Sequence, residues 1–254
     1  MKVTYEVPEH GFAVVSGAHD AAAQDRLVAL IRRHAEDFPF VHPTMRNGMP
    51  LSVRVTSFGK WGWWADDRGY RYTPTHPING KPWPHIPEAL GLAAVPFIYA
   101  ADEAYVVDGI RGLGGDTVEA SRRIRTQFAL EIDTVLVNWY APYASLGWHV
   151  DRTEADLTSP IITMSLGASA IFEIRLDGKA HRVTLHSGDG VVMVGPSRNA
   201  EHRIVRLLPP EGPTPLDLFG GPPASPPHDP LGDGTRMSVT WRRTGLTPGG
   251  SPCA

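Results

Sequence analysis

The sequence has one cysteine, Cys253, set in a Gly/Pro/Ser tail. A single thiol cannot close a disulfide within the chain, so a stapled secreted scaffold is excluded and a reducing, cytoplasmic setting is expected. Long apolar runs are missing as well. Nowhere do about 18 apolar residues follow one another, and the opening Met1-Lys-Val-Thr-Tyr-Glu6 has no apolar leader core. No membrane association is expected. The chain also lacks a strong excess of either charge. A net charge of −3 over 254 residues offers a polyanion no global attraction, so any nucleic-acid site has to be local. No internal repeat is present. What remains has ordinary globular composition, 42% hydrophobic and 20% charged; its length suits one domain with a real core and is short for two.

The stretch that carries chemistry is Trp148-His149-Val150-Asp151. On an extended segment, residues two apart project to the same side, so the His149 imidazole and the Asp151 carboxylate can meet one ion. By itself the pair reads more readily as a solvated His/Asp couple. His202 comes 51 residues after Asp151 and opens the β-patterned run His202-Arg-Ile-Val-Arg-Leu207. Two histidines and a carboxylate form the facial set of non-heme Fe(II) oxygenases, with positions left open for co-substrate and O2.

Arg236-Met-Ser-Val-Thr-Trp-Arg242 alternates polar and apolar at every step. It reads as a strand with Arg236, Ser238, Thr240 and Arg242 on one face. Six residues at ~3.3 Å rise place the arginine backbones ~20 Å apart. Side chains leaning inward by roughly 6 Å each leave on the order of 8 Å between the guanidiniums. A five-carbon diacid, 2-oxoglutarate, fits that gap between two bidentate forks. Considered alone, the segment is two arginines on a solvated strand face, and the His/Asp context is what lifts it. Asn138 and Tyr140 share a face of Asn138-Trp-Tyr140 and offer an amide and a phenol to the same diacid.

Earlier in the chain, a short strand is expected over Gly11–Val15, then a helix with Asp20 as N-cap and Leu27, Leu30, Ile31 and His34 on one face. His34 reads as a packed or helix-end histidine rather than a ligand. Residues 44–84 carry six Lys/Arg against Asp66 and Asp67, a local charge of +4, and seven aromatics, four of them tryptophan. Cations with interleaved rings suit phosphates and stacked bases. The competing reading is a lid folded over the core with its rings buried, and the two readings can share residues. A partly helical segment over Pro87–Ala100, a Gly-rich linker over Gly109–Gly115 and a helix from Asp116 or Thr117 to about Leu130 follow. Strands are then expected at Thr134–Tyr140, Ile161–Leu166, Ala170–Leu176, His181–His186, Val191–Val194, His202–Leu207 and Arg236–Arg242. Short strands at near-regular spacing argue for a sandwich or barrel, and a double-sheet jelly roll accommodates a metal between its sheets. Pro209–Gly234, rich in Pro and Gly, is an irregular excursion between two core strands.

Taken in order, these residues resemble the AlkB-type Fe(II)/2-oxoglutarate dioxygenases, nucleic-acid demethylases with a jelly-roll core. The motifs are Asn138-x-Tyr140-x-Pro142, His149-x-Asp151, Pro160-Ile-Ile-x-x-Ser165-Leu-Gly167, Ala170-Ile-Phe172, Gly188-Asp189, Ser197-Arg198-x-x-x-His202 and Arg236 to Arg242. Upstream lie Gly62-Trp63, Gly69-Tyr70-x-Tyr72-x-Pro74 and Lys81-Pro-Trp-Pro84. Together they span roughly residues 38–84 and 131–243. The resemblance implies an α+β, mainly β fold: a double-stranded β-helix core with N-terminal helices and a nucleotide-recognition lid near 44–84, all one domain over 1–254. It implies His149, Asp151 and His202 as the catalytic iron ligands, and Asn138, Tyr140, Arg236, Ser238 and Arg242 around 2-oxoglutarate. Trp63, Tyr70, Met45, Arg152 and Thr153 form the implied substrate-binding set, with Trp63 stacked on the base. Ser197-Arg198 reads as a brace for the loop before His202.

The implied activity is oxidative repair of N-alkylated bases of the 1-methyladenine/3-methylcytosine type. It consumes Fe(II)-activated O2 and 2-oxoglutarate and releases formaldehyde, succinate and CO2. The implied partner is alkylated single- or double-stranded DNA, or RNA, met by a monomer. The alternatives are a dioxygenase of the same core acting on RNA, tRNA or a small molecule, and a non-catalytic jelly-roll binding module. Two positions depart from the family pattern: Thr153 stands where the well-known bacterial repair enzyme has an acid, and Ser238 where the family has an asparagine. The Ala101–Gly115 and Pro209–Gly234 regions are longer than usual.

Overall fold

The computed structural model describes residues 1–107, 131–209 and 228–247. Strand β1 (Lys2–Val7) and β2 (Phe12–Ser16) precede helix α1 (Ala21–Asp37). Then come β3 (Val53–Gly59), β4 (Gly62–Asp66), β5 (Gly69–Thr73) and α2 (Glu88–Val107). The remaining strands are β6 (Thr134–Tyr140), β7 (Leu146–His149), β8 (Ile161–Gly167), β9 (Ala170–Leu176), β10 (Lys179–Leu185), β11 (Gly190–Met193), β12 (His202–Leu207) and β13 (Arg236–Arg242). They form a seven-stranded antiparallel sheet in the order β1-β2-β11-β8-β13-β6-β3, a four-stranded sheet β10-β9-β12-β7, and the hairpin β4-β5. This is the jelly-roll core expected from the sequence.

Two apolar layers follow from strand alternation. On β6 and β13, Val135, Val137, Met237, Val239 and Trp241 face α1 and α2 and pack with Leu27, Ile31 and Phe97. Neighbouring residues point the other way, and Leu136 and Tyr140 join Phe172, Ile174 and Ile204 of the smaller sheet in a second core. Phe12 and Phe172 stack across that gap with centroids 5.9 Å apart. The major sheet is thus covered on one side by helices and on the other by the minor sheet. The polar side chains that alternate with the helix-facing apolar ones are thereby placed between the sheets.

Local chemistry accounts for the elements. Asp20 caps α1 by accepting from the Ala23 amide at 2.8 Å. α2 has Pro96 inside it, and the Trp241 indole fixes its first turn by donating to the Leu90 carbonyl at 2.9 Å. At Gly62 a Cβ would lie 2.1 Å from the Trp83 ring, so only glycine lets the β4 backbone cross that indole. No described helix is long and apolar enough to cross a membrane.

Several expectations are corrected. Residues 44–84 do not form a separate lid throughout, because Val53–Gly59 is the edge strand of the major sheet, paired with β6 along its length. The hairpin outside the sheet is Gly62–Thr73. Of the seven aromatics, Phe58, Tyr72 and Trp83 are buried. β1, β3, β4, β5 and β7 had no counterpart in the sequence reading, and α2 runs further than Ala100. The expected linker over 109–115, the helix to about residue 130 and most of the 209–234 excursion lie outside the described residues.

Candidate active site

His149 ends β7, and the antiparallel ladder sets it directly opposite His202, the first residue of β12. Their rings are 4.3 Å apart. Asp151 follows two residues after His149, and its Oδ2 lies 3.7 Å from His202 Nε2. One ligand atom from each of the three falls within 4.8 Å of the others. His149 is extended, as the sequence suggested, and is the last residue of a strand, which fixes its ring against a cross-strand partner.

The tautomers suit a metal. His149 Nδ1 donates to the Gly147 carbonyl at 2.9 Å, and His202 Nδ1 donates to the Ala200 carbonyl at 3.1 Å. A ring nitrogen facing a carbonyl has to carry the proton, so both Nε2 lone pairs are free for an ion. Burial pushes His202 down to about 4, the Asp151 charge only partly opposing it; the ring is a neutral ligand at pH 7. Burial disfavours the Asp151 carboxylate, but Arg242, His202 and His149 outweigh it and hold its pKa below the ordinary value. Two imidazole Nε2 atoms and a carboxylate fit Fe(II).

Between the sheets, a cavity running from the triad is lined by Asn138, Tyr140, Arg236, Ser238, Thr240 and Arg242. The alternation expected of Arg236–Arg242 therefore puts all four polar side chains inside the sandwich. Arg236 is 1% exposed. Its Nη2 donates to Ser165 Oγ at 2.7 Å, and its guanidinium lies 5.1 Å from the Tyr140 ring centroid. Nε and Nη1 have no partner among the described residues. Arg242, at the metal end, reaches Asp151 Oδ2 at 2.9 Å and Glu154 Oε1 at 2.6 Å, leaving its Nε without a partner. The Asn138 amide lies 3.5 Å from Ser238 Oγ. Unused donors at both ends of one buried cavity match a molecule with a carboxylate at each end.

A second cavity opens on the other side of the triad. Trp63 and Tyr70 line it together with His149, Asp151, Thr153 and Arg242. The two rings stack at 5.6 Å, and the Trp63 indole donates to Thr153 Oγ1 at 3.3 Å. Met45 sits half-buried in a tight turn closed by its amide on the Met49 carbonyl at 2.8 Å. Arg152 is exposed. Neither lines this cavity or the one between the sheets.

Sequence reasoning missed Glu154. Its carboxylate is 0% exposed. It accepts from Arg242 Nη1 at 2.6 Å, from the Tyr72 hydroxyl at 2.6 Å and from Arg198 Nη2 at 3.3 Å. No sequence signal marks it: the need for a second carboxylate beside Asp151 follows only once Arg198 and Arg242 are both seen to be buried. Arg198 does brace the loop, as expected, but it grips the other ligand segment too, donating to the Asp151 carbonyl at 2.8 Å and the Ser159 carbonyl at 2.9 Å.

Comparison with known proteins agrees with this geometry. The profile of the 2OG-Fe(II) oxygenase superfamily matches residues 14–242. The chain is 36% identical over 203 residues to an alpha-ketoglutarate-dependent dioxygenase AlkB homolog of Caulobacter vibrioides, covering 78% of this chain and 79% of that protein. It is 31% identical over 188 residues to the alpha-ketoglutarate-dependent dioxygenase AlkB of Escherichia coli, covering 73% and 76%. The solved structure of OsALKBH1 superposes with a TM-score of 0.67 at 23% identity over 95% of this chain and all of that one, a likeness of fold. With two of the triad on adjoining strands of such a core and Asp151 just beyond one of them, the chain belongs to the AlkB-type Fe(II)/2-oxoglutarate-dependent dioxygenases.

Proposed function

We propose that this dioxygenase removes N-linked alkyl groups from nucleic-acid bases, with DNA as its polymer. The observation that carries the reading is the shared wall of the two cavities. His149, Asp151 and Arg242 line both the arginine-lined cavity and the one under Trp63 and Tyr70. A diacid on one side and a flat base on the other would therefore meet the same ion.

Each residue has a role that its surroundings support. Arg236, short of partners at Nε and Nη1, takes the distal carboxylate of 2-oxoglutarate, with Tyr140 beside it. Arg242, with Ser238 and Asn138, holds the end nearer the metal. His149, Asp151 and His202 hold Fe(II), which when bound supplies the activation of O2. Trp63 stacks on a base turned out of its strand, Tyr70 backs that indole, and the Thr153 hydroxyl sets the indole's rotation. The lining excludes water, and the chain orients both substrates toward one atom. In the overall reaction one O2 is consumed; 2-oxoglutarate becomes succinate and CO2, and an N-methyl group becomes N-hydroxymethyl. That product sheds formaldehyde and leaves the unmodified base. The single cysteine supports a reducing, cytoplasmic setting.

Formaldehyde release from matched DNA, RNA and free nucleosides, each carrying 1-methyladenine or 3-methylcytosine, tests the assignment. Turnover of the DNA oligonucleotides above the rest is expected. Turnover confined to RNA or to nucleosides would move the substrate to the alternative polymer or to a small molecule.

A further inference from the structure

The base-side hairpin reaches the arginine strand through Tyr72. Trp63 of β4 stands opposite Tyr72 of β5, and Tyr70, two residues earlier on β5, stacks on Trp63 at 5.6 Å. Residues two apart on a strand share a face, so Trp63, Tyr70 and Tyr72 all look toward the metal. Trp63 and Tyr70 end at the base cavity, whereas Tyr72 continues inward and is 4% exposed. Its hydroxyl donates to Glu154 Oε1 at 2.6 Å and accepts from Arg242 Nη1 at 3.4 Å. Arg242 Nη1 itself reaches the same Glu154 oxygen at 2.6 Å. Three side chains from the hairpin, the loop after the iron aspartate and the arginine strand therefore close one buried ring of hydrogen bonds.

We propose that Tyr72 and Glu154 are positioning residues that couple the two sites, so that 2-oxoglutarate held by Arg242 also sets the base-stacking hairpin. The inference rests on the reading that Arg242 holds the co-substrate and Trp63 the base. Arg242 divides its guanidinium between Asp151 and Glu154. A metal on Asp151 and a carboxylate beside Arg242 take over the first edge. Glu154 then fixes the second, and the Tyr72 hydroxyl has one arrangement left. The base meets a hairpin whose ordering is already done, which makes the two bindings mutually favourable. Glu154 acts in this through Arg242 and Tyr72; sealed behind them, it touches neither ligand.

The test uses full-length protein loaded with Mn(II) in place of iron, so that binding is read without turnover. Dissociation constants are measured for 2-oxoglutarate and for an oligonucleotide carrying one 1-methyladenine, each with and without the other. In the wild type, each ligand should tighten the other by about fivefold or more, the same factor in both directions. In Tyr72→Phe, which keeps the ring, that factor should fall toward one while either ligand alone binds within about threefold of wild type. Glu154→Gln should lose the coupling as well. A wild-type factor of one, or a factor unchanged in a folded Tyr72→Phe protein, overturns the proposal and leaves the site assignments standing. Failure of those assignments looks different: Arg242→Lys would leave 2-oxoglutarate affinity unchanged, or Trp63→Ala would leave oligonucleotide affinity unchanged, and either result removes the proposal with its basis.

Discussion

A guanidinium buried beside a hydroxyl and a phenol ring, as Arg236 is, carries a desolvation penalty of several kcal/mol when it has no counter-ion. Burial accordingly lowers its pKa, with Tyr140 partly opposing. The residue makes physical sense as a receptor for a carboxylate that arrives from outside, and this was legible from the alternation of Arg236–Arg242 once the His149/Asp151 pair was set beside it. Glu154 was not, because nothing in its spacing marks it. Its role appears only once Arg198, Arg242 and Tyr72 are brought round it from positions between 44 and 88 residues away in sequence. His34 shows the same limit. Its place on the buried side of α1 was readable, but not its sandwich between Phe58, at 3.8 Å, and Phe38, at 5.0 Å. Burial, aided by the nearby His76, lowers its pKa from 6.5 to about 4. Because the unfolded chain binds that proton first, the native state loses stability as pH falls from about 6.5 to about 4. Urea midpoints measured across this window should fall less steeply in His34→Phe than in the wild type. His76 and His202 shift in the same direction, so the slope is reduced and not abolished; an unchanged slope would mean that His34 does not titrate there.

Among the elements, β6, β8, β9, β12 and β13 were visible in the sequence because their faces differ or because they are apolar throughout. β3 was hidden inside a segment singled out for its charge and rings. Its own residues, Val53-Arg-Val-Thr-Ser-Phe-Gly59, alternate only at the start. β7 is four residues with a glycine, too short for a period to register, yet it is the strand that presents His149. The β4-β5 hairpin is where the basic and aromatic character has a use. Asp66 grips Arg71 through both guanidinium ends at 2.6 Å and also accepts from the Trp64 indole at 3.2 Å, which stiffens the hairpin behind the exposed face of Tyr70. A stacked base is worth ~1–3 kcal/mol when its aromatic partner is cut to alanine. Trp63→Ala should therefore lower turnover of a methylated oligonucleotide roughly tenfold to a hundredfold, while 2-oxoglutarate decarboxylation without a nucleic-acid substrate changes little. Equal loss in both reactions would make Trp63 a support for the iron site; no loss in either would place the base elsewhere.

At the scale of the molecule, the architecture and the chemistry have one cause. Strands buried on both faces need apolar residues toward the helices and a filled gap toward the minor sheet. The gap is apolar at the Phe12–Phe172 end and polar where β6, β13, β7 and β12 face one another. The fold class and the three metal ligands could be read in advance because they are set by local periodicity and by residue type. The paired use of Arg242 by Asp151 and Glu154, and the reach of Tyr72 from the hairpin to that pair, depend on the assembled sandwich. The central claim is that one ion held by His149, Asp151 and His202 joins a 2-oxoglutarate site to a base site. The most direct measurement is the yield of formaldehyde and succinate from a 1-methyladenine oligonucleotide, wild type against Asp151→Ala. Asp151 is a ligand and no part of either apolar layer, so the variant should stay folded. The wild type should give one formaldehyde per succinate, both dependent on Fe(II), 2-oxoglutarate and O2, and the variant neither product. Formaldehyde release that persists in folded Asp151→Ala protein, or a wild type that makes succinate but never formaldehyde from any methylated nucleic acid, would contradict the account.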